Sequence, residues 1–267
     1  DGKWWYGDDT GWYAKNAWYK IDGKFYHFDS SGYLETNKFI DGYYVNSDGE
    51  WDPDYMSKAG SGKSNATSIE EYFNNSVVVG DSICSGFATY CSNSSDPVAS
   101  ELTVIAGVSF GIHNALMIGG NGTNPVYQGA KRQIWDSVYL SGADHVYFSM
   151  GMNDVGYTDT IDKYEELIDK VISYCPGIQV TVCSITGVKT SGERDCFTNA
   201  KVNELNSQIS SMCARRGFGY LDINSAVSDG RGLAAKYCSD GFVHQNSDAY
   251  AQWLEAFKTY GRQHLAN

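Results

Sequence analysis

Three segments of the chain carry residue types that can work on a carbonyl group. Ser82 follows Gly80-Asp81, Asn153 sits within Gly151-Met152-Asn153-Asp154, and His244 closes Ser239-Asp240-Gly241-Phe242-Val243-His244. A serine hydroxyl attacks only when a neighbouring base takes its proton, and imidazole is the side chain whose ordinary pKa lies near neutrality. The attacked carbonyl becomes an oxyanion that needs fixed donors, and a carboxamide such as that of Asn153 offers two N–H bonds. Glycines at 80 and 151 let the backbone turn sharply where a side chain would crowd a substrate. The same residues also have plainer uses. Serine after a strand can cap a helix, and Asn153-Asp154 can form an Asx turn. His27, His113, His145 and His264 match no such pattern and read as structural or surface residues, while Cys84 reads as packing under the first turn of a helix.

The elements that must position these residues are legible as alternating patterns from Ser76 onward. Near-continuous apolar runs at 77–79, 102–105, 146–149, 179–185 and 220–223 read as strands covered on both faces. Stretches 161–174 and 198–215 place apolar residues three and four apart, and 247–260 follows as another helix. The first of these stops at Cys175-Pro176-Gly177. Five strands with intervening helices predict an α/β fold, a three-layer, doubly wound, five-stranded parallel sheet. Ligands of such sheets bind beyond the carboxyl ends of the strands, which is where Ser82, Gly107 and Asn153 fall.

In order and placement these motifs resemble the SGNH, or GDSL-like, hydrolase family over about residues 76–260. The resemblance implies a flavodoxin-like fold with Ser82 as nucleophile, His244 as general base and Asp240 as the acid that orients it. It also implies an oxyanion hole from the Ser82 N–H, Asn153 and a backbone N–H between Gly107 and Gly111, with Gly107 the first choice. Two departures stand out. Asp240 and His244 are separated by three residues where the family has two, and Ile105 stands where the second block has Asn.

Residues 1–51 belong to a different regime and hold five of the seven tryptophans. DGKWWYGDDTG at 1–11 matches DGKFYHFDSSG at 22–32, and a shortened copy, DGYYVNSDG, occupies 41–49. Each unit reads as a turn, a short aromatic strand and a second turn, hence as stacked β-hairpins. With Ala17-Trp18 and the runs at 24–28 and 29–32, the spacing resembles the choline-binding, or cell-wall-binding, repeats of Gram-positive surface proteins. That resemblance implies a cage for a quaternary ammonium, with Trp18, Phe25 and Tyr44 as its rings; packing of hairpins is the other use such rings have. The expected domains are therefore 1–51, a polar linker over 52–70 and a hydrolase domain over 71–267.

A net charge of −12 with a pI near 4.7 argues against nucleic acid as a partner, and no run is apolar and long enough for a membrane span. The chain opens on Asp1-Gly2-Lys3 rather than on a leader, as expected of a mature or trimmed chain. Seven cysteines without CxxC spacing give no zinc site, and buried free thiols are the expected state. No metal or other cofactor is implied. The two resemblances together imply a secreted or cell-surface serine esterase that removes small acyl groups, acetyl above all, from a carbohydrate or cell-wall polysaccharide. A lysophospholipase or thioesterase would use the same constellation. A surface-binding protein with an inactive hydrolase fold is the alternative from another class.

Overall fold

The computed structural model describes residues 4–36, 38–40, 43–52, 66–117 and 122–265, and the chain separates into two compact units, 1–59 and 60–267. Most of the expected linker, 53–65, lies outside the described residues.

In the first unit, β1 (Ala17–Ile21) and β2 (Lys24–Phe28) pair antiparallel, with Trp18 opposite His27 and Lys20 opposite Phe25. β3 (Lys38–Ile40) pairs with β4 (Tyr43–Val45) in the same way. The connection Asp22-Gly23 has φ of 50° and 87°, as a two-residue hairpin of right-handed twist requires. Repetition in sequence becomes repetition in hydrogen bonds. Asp8 Oδ1 accepts from the N–H of Thr10 and Trp12, Asp29 Oδ1 from Ser31 and Tyr33, and Asn46 Oδ1 from Asp48 and Glu50. Each of these Asx turns ends in a glycine at positive φ: Gly11, Gly32 and Gly49. Successive copies are tied by equivalent bonds, Leu34 N–H to Trp4 O and Trp51 N–H to Phe25 O.

The second unit is built on five parallel strands: β5 (Ser76–Gly80), β6 (Leu102–Ala106), β9 (His145–Ser149), β10 (Gln179–Cys183) and β11 (Gly219–Leu221). A two-stranded ribbon, β7 (Val126–Tyr127) with β8 (Ala130–Lys131), lies outside that sheet. The spatial order β11-β10-β9-β5-β6 is the doubly wound arrangement expected, with its switch point between β5 and β9. Nine helices are described: α1 (Ile69–Phe73), α2 (Ser82–Asn93), α3 (Pro97–Glu101), α4 (Ile112–Ala115), α5 (Ile134–Ser141), α6 (Thr160–Tyr174), α7 (Asn199–Arg216), α8 (Asn224–Val227) and α9 (Ser247–Gln263). Helices α2 and α9 pack together through Phe87, Trp253 and Phe257, and Tyr147 of β9 points to Phe257. The next residue, Phe148, points to Tyr164 of α6 on the opposite face. The core therefore runs continuously on both sides of the sheet, and Val77, Val78 and Val79 are fully buried.

Two strands end earlier than the apolar runs at 179–185 and 220–223 predict. Beyond Cys183, Ile185 N–H and O bond the side chain of Asn206 on α7 instead of a neighbouring strand. Beyond Leu221, Asp222 accepts from the Ser184 hydroxyl and from Ser225 in the first turn of α8. The short helices α1, α3, α4 and α8 have too few residues to show a period, so composition alone does not announce them.

Candidate active site

Register brings the carboxyl ends of the central strands level, with Gly80 beside Ala106 on one side and Ser149 on the other. Helix α2 starts immediately after Gly80. Its cap is Asp81, whose Oδ1 accepts the Ile83 N–H at 2.9 Å, so Ser82 is not the cap. Ser82 takes the first helical position, where a backbone N–H has no partner inside the helix. Gly80 is required by contact: a Cβ there would lie 2.3 Å from Cys84 Cβ and 2.5 Å from Ser149 O. Cys84 is thus wedged beneath the turn, fully buried, and burial pushes its thiol well above its usual pKa.

Ser82 Oγ lies 3.0 Å from His244 Nε2, and His244 Nδ1 lies 2.6 Å from Asp240 Oδ2. The extra residue between Asp240 and His244 does not displace the carboxylate. Gly241 at φ 79° and an Asx turn from Phe242 N–H to Asp240 Oδ1 absorb it. Below the turn, Ser239 N–H bonds His244 O and the next residue, Gln245, is buried. Gln245 donates to Thr186 Oγ1 and accepts from the Trp253 indole, pinning the histidine loop to both the sheet end and α9. Burial acts against the Asp240 charge, but the hydrogen bond from His244 and two backbone N–H groups outweigh it and hold the carboxyl below its usual range. For Asp81, burial dominates and raises the carboxyl to about 6 despite the two N–H groups it caps.

Asn153 sits in a 3₁₀ turn, Met152–Asp154, after β9. Gly151 enters that turn at φ 131°, a conformation open to glycine, with Ile185 Cδ1 only 2.8 Å from where a Cβ would be. One amide hydrogen of Asn153 goes to Phe110 O at 2.8 Å, and the second has no partner among the described residues. Gly107 is a correction. Its N–H donates to Gly80 O at 3.1 Å, extending the β5–β6 ladder one step, and is not available to an oxyanion. The amides of Phe110, Gly111, Ile112 and His113 are also taken, by Gly107 O, Asn114 Oδ1 and the two oxygens of Asp154. Within 107–113 the donors that remain are Val108 and Ser109, the latter at φ 58°.

Asp154 is the residue sequence reasoning left without a part. Buried at 2 % exposure, it accepts from Ile112 N–H, His113 N–H and His113 Nδ1, locking the loop after β6 to the turn after β9. Its position beside Asn153 was the only sequence signal. The other histidines have structural partners: His27 with Glu35, His145 with Thr181, His264 with Tyr260 O. All seven cysteines are free, and no cluster of metal-ligating side chains occurs among the described residues.

Two of the three rings expected to form a cage, Trp18 and Phe25, are described. Trp18 and Phe25 share one face of the hairpin, but Trp18 packs edge-on to His27 and Phe25 to Trp51, with Lys20 Nζ 5.5 Å from the Phe25 ring centre. The Tyr44 side chain lies outside the described residues.

Comparison with known proteins bears on both units. The profile of the GDSL-like lipase/acylhydrolase family matches residues 78–252, and that of the choline-binding repeat matches 12–51. No curated protein matches the chain. Among solved structures, a GDSL-like lipase from Bacteroides thetaiotaomicron superposes with a TM-score of 0.55 at 14 % identity, over 79 % of this chain and 98 % of its own. A lipase/acylhydrolase from Enterococcus faecalis gives 0.51 at 16 %, over 72 % and 97 %. A choline-binding domain from Streptococcus pneumoniae is 42 % identical over 20 % of this chain and 63 % of its own, with a TM-score of 0.19.

Proposed function

Since the chain belongs to the GDSL-like lipase/acylhydrolase family, we propose that it is a secreted serine esterase removing small acyl groups, acetyl first, from a carbohydrate or cell-wall polysaccharide. The observation that carries this is the unbroken hydrogen-bond chain Ser82 Oγ–His244–Asp240. Ser82 attacks the ester carbonyl as His244 Nε2 takes its proton, and Asp240 holds the imidazole and balances its charge. The oxyanion is met by the Ser82 N–H, the free Asn153 amide hydrogen and the N–H of Val108 or Ser109. His244 then returns the proton to the departing alcohol, and water, deprotonated by His244, releases the acid and regenerates Ser82.

The N-terminal repeats would hold the enzyme on a choline-bearing surface, consistent with their match to choline-binding repeats.

Hydrolysis of p-nitrophenyl acetate by the full chain and by Ser82→Ala tests the reading. Wild type should be faster by several orders of magnitude. Equal rates would show that Ser82 is no nucleophile, and faster cleavage of p-nitrophenyl palmitate than of the acetate would overturn the small-acyl assignment.

A further inference from the structure

The turn that carries Asn153 continues into a groove. Val155, Gly156, Tyr157 and Thr158 form one wall, and Lys201, Glu204, Leu205 and Gln208 of α7 form the other, around about 270 Å³. Val155 follows Asn153 by two residues and Tyr157 packs on His113 of α4, so this wall is continuous with the turn that carries Asn153. Its chemistry is mixed in a specific way. Val155 and Leu205 are buried and form an apolar floor, while a hydroxyl, an amide, an ammonium and a carboxylate stand around them. Glu204 disfavours an anionic occupant, Lys201 a cationic one, and the polar rim an alkyl chain. A neutral, hydroxyl-rich ligand satisfies all of them.

Tyr157 supplies the remaining element. It is 59 % exposed, yet its ring is fixed: one side packs on His113 at 4.2 Å between centroids, and His113 is itself held by Asp154 and Asp159. The Tyr157 backbone is tied to Asp154 O through its N–H and to the Thr160 hydroxyl through its carbonyl. An aromatic ring held rigid at a groove edge is a platform for the C–H face of a pyranose, at little entropic loss on binding. We infer that this groove binds the sugar unit bearing the ester, with Tyr157 as stacking platform and Thr158 and Gln208 as hydrogen-bonding partners of its hydroxyls; the inference rests on the carbohydrate reading above.

The test compares a chemically O-acetylated N-acetylglucosamine tetramer with p-nitrophenyl acetate, using the full chain. The ratio of kcat/KM for the tetramer to that for the small ester should fall about tenfold in Tyr157→Ala, the loss of one good contact. It should fall in Gln208→Ala, on an exposed helix position where misfolding is not at issue, and be largely kept in Tyr157→Phe, which retains the ring. An unchanged ratio in both alanine variants overturns the groove assignment while leaving the esterase reading intact. A wild type that cleaves p-nitrophenyl acetate but not the tetramer overturns the carbohydrate reading, and this inference with it.

Discussion

At Asp81, helix capping and the burial of a carboxylate are met by one side chain. The cap serves the helix whose first residue is Ser82, and its position at 3 % exposure raises its pKa from 3.8 to about 6. Because the folded pKa lies above the unfolded one, the folded state binds more protons between about pH 4 and 6. Stability is therefore highest below that window and is lost as pH rises through 6, by about 3 kcal/mol for a shift of this size. Asn caps helices as well as Asp does and carries no charge. Asp81→Asn should accordingly gain stability over wild type at pH 8 and gain little at pH 4.5, as read from urea midpoints at the two values. A pH-independent difference would mean that Asp81 is not titrating in that range. Asp240 behaves in the opposite sense: its pKa is held below the usual range, so its contribution is present at neutral pH and fades in acid.

Helix α2 and the strand before it position Ser82, and they meet without spare room. The Gly80→Ala side chain would collide with Cys84 Cβ and with the Ser149 carbonyl, neither of which is the flexible end of a side chain. Either α2 or β9 has to move. Overpacking of this kind costs about 1–3 kcal/mol, and for a domain of this size each kcal/mol lowers Tm by roughly 2–4 °C. Calorimetry should show that drop, and p-nitrophenyl acetate hydrolysis should fall further than stability does, since a shift of α2 carries Ser82 away from His244. A glycine tolerant of alanine at 80, with unchanged Tm, would contradict the described packing. The loop after β6 depends in a similar way on α4, whose first two backbone N–H groups are held by Asp154 rather than by anything nearby in sequence.

For the whole molecule, two units of different construction share a strongly acidic chain, and no described helix is long and apolar enough to cross a membrane. If the repeats hold choline, the full chain should be retained on a choline matrix and eluted by free choline, and tryptophan fluorescence should respond to choline but not to ammonium. Absence of both responses would leave the hairpins a structural part only. What the sequence by itself determined were features set locally: the alternation of buried strands and amphipathic helices, and turns whose positive φ values favour Asp, Asn and Gly. Ser82 and Asn153 were legible for the same reason, since each stands next to an aspartate just beyond a strand whose pattern is local, and His244 through the Asp240-Gly241 turn shortly before it. Tertiary structure decided everything that depends on a partner distant in the chain. The backbone amide of Gly107 is spent on Gly80, Asp154 reaches across to hold the loop at 112–113, Gln245 anchors the histidine, and the rings of Trp18 and Phe25 turn to other neighbours. Spacing along a chain fixes which residues can point the same way, but whether a donor is free or a ring uncovered is settled only when the remaining elements have packed around it.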